Sequence, residues 1–192
     1  MKYVLMIALN LFLARSYAQQ IEITTKNGTE REETGKLQLQ RILDNYQAKI
    51  SQWIYTDKVQ IDDKAIPHSH PLLTLHCRHL DNDEIQLSTF LHEQFHWLVE
   101  ETPVQEKQAI TEFKILFPEV PSPQNGGARD PYSTYLHLIV CDLEFQAMTK
   151  ITGKERAMQI MKERGVYTWV FDKIFNNNQV REINKRYGFL LK

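Results

Sequence analysis

Cysteine is scarce in this chain, excess charge of either sign is missing, and no long apolar run follows the first few residues. Each shortage removes a class of protein. The only cysteines are Cys77 and Cys141, and two cysteines cannot form a disulfide framework that stands in for a hydrophobic core. The formal net charge is −1, with 24 acids against 23 lysines and arginines. No basic patch stands out, so nucleic acid is not the expected partner. No internal repeat or low-complexity tract occurs. Hydrophobic residues make up 42% and charged residues 24%, the balance of a globular protein rather than a disordered one. The length, 192 residues, suffices for one domain with a real core.

The one apolar run lies at the start. Lys2 supplies a positive charge, Tyr3 to Leu13 is mostly apolar, and Ser16-Tyr17-Ala18 places small residues where a signal peptidase reads. The expectation is a signal peptide over residues 1–18, cleaved between Ala18 and Gln19, with residues 19–192 as the folded domain. The alternative, an uncleaved anchor, asks a short run to span a membrane. No cysteine follows the cleavage point, which argues against a lipoprotein. Losing Lys2 and Arg15 moves the formal charge from −1 to −3, since the segment holds no acid. A secreted or periplasmic protein is expected, with no stable membrane insertion after cleavage. Cys77 and Cys141 then form a disulfide or remain buried thiols; a thiolate metal ligand is a third reading. Asn27-Gly28-Thr29 fits a glycosylation acceptor if the source is eukaryotic.

Hydrophobic spacing places the elements. Gln19 to Arg31 reads as a short strand or a loose arm. Glu33 to Tyr55 reads as a long helix, Val59–Ile61 and Leu72–Cys77 as strands, and Asp81–Glu84 as a turn. His68 and His70, in a loop bounded by Pro67 and Pro71, are solvated side chains or a metal-binding pair. His76 and His79 are expected as exposed or edge residues. Helices follow from about Glu84 to Glu101 and from Pro103 to Leu116, with Thr102 as the second one's N-cap. The Pro- and Gly-rich stretch 118–131 is a loop that borders the active-site cleft or simply connects. Helices at Ser133–Lys150 and Lys154–Arg164 come next, the latter with a basic surface and stopped by Gly165. A hydrophobic cluster over Val166–Phe175 and a last helix over Val180–Tyr187 complete an α+β, mostly helical chain with a small N-terminal sheet.

The chemistry concentrates in His92-Glu93-Gln94-Phe95-His96. Residues four apart share a helix face, so the two imidazoles can meet on one metal ion. Glu93 projects beside that ion, where it can deprotonate a metal-bound water. Leu87, Leu91, Phe95, Leu98 and Val99 fall on one flank of the helix, with Phe90 and Trp97 opposite, so the motif is buried. On the helix from Ser133, the positions His137, Cys141, Glu144 and Met148 share one stripe. A carboxylate inside an apolar helix is costly without a purpose, so Glu144 is the expected third ligand. His137, on the same face, either assists catalysis or is itself the third ligand. Tyr132 and Tyr135 are candidate donors to an oxyanion.

With His92, Glu93, His96 and Glu144 the chain resembles the zincin metallopeptidases, and within them the gluzincin branch. The resemblance covers roughly Leu72 to Met148. Val99 and Thr102 stand where the extended metzincin pattern has Gly and His. The resemblance implies a zincin-like fold with Zn2+ on His92, His96 and Glu144, Glu93 as general base, and a peptide or protein as substrate. The alternative is a zincin-derived zinc-binding or structural protein without significant turnover.

Overall fold

The computed structural model of the chain describes residues 21–191; the expected signal peptide lies outside them. Strand β1 (Glu22–Thr25) leads into helix α1 (Glu30–Ile50), then come strands β2 (Lys58–Ile61) and β3 (Leu73–Leu75). Six further helices follow: α2 (Asp83–Glu100), α3 (Pro103–Leu116), α4 (Pro131–Thr152), α5 (Lys154–Arg164), α6 (Thr168–Asn176) and α7 (Asn178–Arg186). The architecture is mostly helical α+β, as the spacing predicts. The three strands form one parallel sheet in the order β1-β2-β3. Ile23, Val59 and Leu73 share one register row. Ile61 pairs with Leu75 two residues on, so an apolar face repeats with the strand period of two. Helix α1 covers β1 and β2 as the crossover between them.

Helix α1 begins at Glu30, three residues before the predicted start. The cause is a capping box: Thr29 accepts from the Glu32 amide, and the Glu32 carboxylate accepts from the Thr29 amide. Glu32 also accepts from both the backbone and the side-chain amide of Asn27, and from the Asp63 amide. One carboxylate thus ties the β1–α1 turn to the loop after β2. The side-chain amide of the Asn27-Gly28-Thr29 sequon is engaged in this network. Burial raises the Glu32 carboxyl, but the hydrogen bonds from Asn27, Thr29 and Asp63 outweigh it and hold the group at about 2.

Other ends obey ordinary capping rules. Asn82 caps α2 by accepting from the Ile85 amide, and Asp130 caps α4 by accepting from Ser133, with Pro131 at the first position. That cap starts α4 two residues before the predicted Ser133. Thr102 occupies the N-cap position of α3, yet its hydroxyl donates backward to the Val99 carbonyl (3.1 Å). Gly165 ends α5 in the left-handed region.

Helix α4 runs through the middle of the helical half, in contact with α2, α3, α5, α6 and α7. Leu138, Ile139, Val140, Leu143, Phe145 and Ala147 are all buried and together encircle the helix. Asp142, also buried, accepts from Arg181 and Asn184 of α7. Cys77 and Cys141 are both buried free thiols. The loop between α3 and α4 packs on the start of α6: Gly126, with φ +89°, accepts from the Trp169 amide at 3.2 Å. A Cβ there would meet Thr168 Oγ1 at 2.2 Å, so only glycine fits. Among the described residues no helix is long and apolar enough to cross a membrane.

The low value of Glu32 has a pH signature. Its stabilisation is complete above the ordinary carboxyl value of 4.5 and is lost as the pH falls through about 2. Glu32→Gln is expected to lower the melting temperature at neutral pH. It should also flatten the decline of wild-type stability below pH 4.5, as followed by denaturant midpoints across pH.

Candidate metal centre

From Ile85 to Phe95 every residue of α2 is buried, so each polar side chain in that stretch needs an internal partner. Gln94 finds one, accepting from the amides of Tyr55 (2.8 Å) and Thr56 (2.9 Å) and donating to the Thr56 carbonyl (2.9 Å). Gln86 donates to the carbonyl of His76. These two hold α2 to the segments just before β2 and just after β3. His92, Glu93 and His96 are arranged differently.

The rings of His92 and His96, one turn apart, lie 5.1 Å from each other. Helix α4 adds His137, 5.3 Å from His92 and 5.2 Å from His96. One nitrogen from each of the three imidazoles lies within 4.8 Å of the other two. His92 and His137 are 2% and 5% exposed, and His96 is partly exposed. His92 Nδ1 donates to Glu144 Oε2 at 2.8 Å, and His137 Nδ1 donates to the Ser133 carbonyl at 2.6 Å. The acceptors dictate the tautomer: each ring carries its proton on Nδ1 and keeps a lone pair on Nε2. Burial pushes His137 down to about 3 and His96 well below its ordinary value, with the neighbouring His92 adding to both. His96 and His137 are thus held neutral, and three imidazoles crowded together fit a divalent cation.

Glu144 is fully buried and fully used. Its Oε1 accepts from Ser88 and Arg164, and its Oε2 from His92. Burial raises its pKa, but Arg164 and His92 more than compensate, and the carboxyl ends below its ordinary value. Donor atoms of His92, Cys141 and Glu144 also lie within 4.8 Å of one another. This second set fits a cation poorly. Burial drives the Cys141 thiol well above its ordinary value, away from the thiolate a metal needs. An ion there would also have to take Glu144 from Arg164.

Glu93 is 5% exposed and makes no hydrogen bond among the described residues. Burial raises its pKa. With His92, Arg164 and Tyr167 it lines a cleft of about 130 Å3. Tyr167 sits at φ 52°, the one non-glycine residue among those described with positive φ. Its ring lies 5.6 Å from that of His92, nearly parallel, and 4.2 Å from that of His137.

The structure therefore brings His92, His96 and His137 together and sets Glu144 behind His92. Tyr132 and Tyr135 point elsewhere: the Tyr132 hydroxyl donates to Glu106, and that of Tyr135 to the Phe117 carbonyl. His68 donates from Nδ1 to the Ile66 carbonyl, and His70 packs at a tilt on Trp97 and pairs with Glu100. His76, expected to be exposed or at an edge, directly follows the edge strand β3 and is buried. Sequence reasoning missed Arg164, which was expected on the exposed basic surface of α5; its side chain is 8% exposed. The available signal was Glu144 itself, a buried carboxylate that demands a cation. Tyr167 was expected only as core.

Arg164→Met leaves the Glu144 charge buried without its cation and is expected to cost about 3–5 kcal/mol of stability. The double variant Glu144→Gln/Arg164→Met should recover much of that loss in urea denaturation, because no uncompensated charge remains. Comparison with known proteins finds no family model, no curated protein and no solved structure that matches this chain.

Proposed function

We propose that the protein is an exported zinc-dependent hydrolase of the metallopeptidase type, zincin-like, with Zn2+ held by His92, His96 and His137. The observation that carries this reading is the convergence of three imidazole nitrogens within 4.8 Å, two of them on rings whose Nδ1 atoms are already engaged. In this assignment Glu144 is not the third ligand. It orients His92 and raises its basicity through the Nδ1 hydrogen bond, a role commonly filled by a carboxylate behind a metal-bound histidine.

Bound Zn2+ supplies a Lewis acid for a carbonyl oxygen and lowers the pKa of water at its open position. The chain's own groups do the rest. Glu93 has no internal hydrogen-bond partner and a raised pKa, which suits a carboxylate that accepts a proton from water and passes it to a leaving amine. Burial raises the Tyr167 phenol, so it stays protonated and can donate to a developing oxyanion. Arg164 keeps Glu144 ionised, and so keeps His92 in the tautomer that a metal requires. A purely structural zinc site needs no base and closes its fourth position with another protein ligand; the unpartnered Glu93 favours turnover.

Two experiments test this reading. Mature protein loaded with metal is expected to hold one zinc per chain, read by elemental analysis. His137→Ala should lose that zinc, while Glu144→Gln should keep it at about 10- to 100-fold weaker affinity. The reverse order would return Glu144 to the ligand set. Glu93→Gln is expected to retain zinc and to lower peptide hydrolysis by about 100- to 10,000-fold, measured as kcat/KM on a quenched-fluorescence peptide library.

A further inference from the structure

Among the described residues, all the arginines but one have carboxylate partners. Arg31, Arg41, Arg129, Arg156, Arg164, Arg181 and Arg186 each pair with an Asp or Glu. Arg78 is the exception: among the described residues it makes no hydrogen bond or ion pair. It is exposed, and it lines the same cleft as His92 and Glu93. His76 and His79 line that cleft too. His76 is 5% exposed, and its Nδ1 is buried without a hydrogen-bond partner. The only acid lining the cleft is Glu93; Asp81 is exposed and lies outside the lining. A volume of about 130 Å3 is well below that of a drug-sized pocket. It accommodates one side chain or one chain end.

The exposed Arg78 guanidinium, without an ion-pair partner, opens on the same cleft as the His76 and His79 rings, a set of donors with no acceptor of its own. Carboxylate suits such a set, because arginine forms forked hydrogen bonds to its two oxygens. We propose that Arg78 and His76 form an anion-recognition subsite beside Glu93, which selects peptides carrying a carboxylate next to the scissile bond. That carboxylate is either an acidic side chain or a free C-terminus. The assignment of a scissile bond rests on the hydrolase reading; the anion-binding property does not.

The test therefore has a binding arm and a turnover arm. Three labelled hexapeptides serve: one amidated with an internal Glu, one neutral with a free C-terminal carboxylate, and one neutral and amidated. Their affinities for zinc-loaded Glu93→Gln and for Glu93→Gln/Arg78→Gln are compared by fluorescence anisotropy. The expected result is that one or both anionic peptides bind Glu93→Gln more tightly than the neutral amide, and that this preference falls about 10- to 100-fold with Arg78→Gln. The peptide that loses preference identifies the source of the carboxylate. In the turnover arm, Arg78→Glu should reverse the order of kcat/KM between peptides with Glu and with Lys flanking the cleaved bond. Equal binding of all three peptides, or a preference that survives Arg78→Gln, overturns the subsite. An Arg78-dependent binding preference without turnover of any peptide by wild type overturns the hydrolase reading alone.

Discussion

The site depends on keeping one carboxylate ionised where water does not reach. Glu144 lies at the junction of α2, α4 and α5, and its charge survives there because Arg164, Ser88 and His92 all donate to it. A buried ion pair of this kind adds little net stability against an apolar alternative, but removing one partner is severe. Its value lies in geometry. Arg164 fixes the carboxylate, the carboxylate fixes the His92 ring and tautomer, and His92 in turn stacks against Tyr167 and contacts His96 and His137. The imidazole cluster is thereby arranged by groups already satisfied within the fold.

Much of this arrangement was legible in the sequence, and the limits have physical causes. The motif helix was readable because His92 and His96 stand one turn apart among residues that are apolar on most sides of the helix. The buried stripe on α4 was readable for the same reason, and it named both His137 and Glu144. Which of them approaches the imidazole pair could not be read, since both lie on one helix face. The choice depends on how α4 crosses α2 and on where Arg164 arrives from α5. An arginine in the last turn of a short polar helix looks exposed from local pattern alone. Tyr167 was opaque because an aromatic in a hydrophobic run reads as core, and its left-handed backbone arises from the tight passage between α5 and α6. The early start of α1 was recoverable: Thr29 and Glu32 are a capping box in plain sequence.

The loop between α3 and α4 shows how a residue can matter without touching the chemistry. Gly126 contacts no imidazole, yet it seats against Thr168 and Trp169 at the first turn of α6, immediately after Tyr167. The loop is a fitted buttress rather than a slack connector, and it braces the aromatic wall of the cleft from behind. The segments flanking the sheet play the matching part, where Gln94 and Gln86 join α2 to the chain before β2 and after β3. The imidazole cluster is thus gripped from two directions by parts of the chain that take no share in it.

Synthesis order gives the Glu144–Arg164 pair a further meaning. A ribosome delivers Glu144 twenty residues before Arg164, and α4 is too apolar on all sides to remain alone in water. Until α5 emerges, the nascent chain carries a carboxylate that its collapsing core cannot accept in ionised form. The two buried carboxylates of α4 therefore gain their cations only after α4 itself has been made, Glu144 when α5 brings Arg164 and Asp142 when α7 brings Arg181. A product truncated before Arg164 has His92, Glu93, His96 and His137, but not the cation that the buried Glu144 needs.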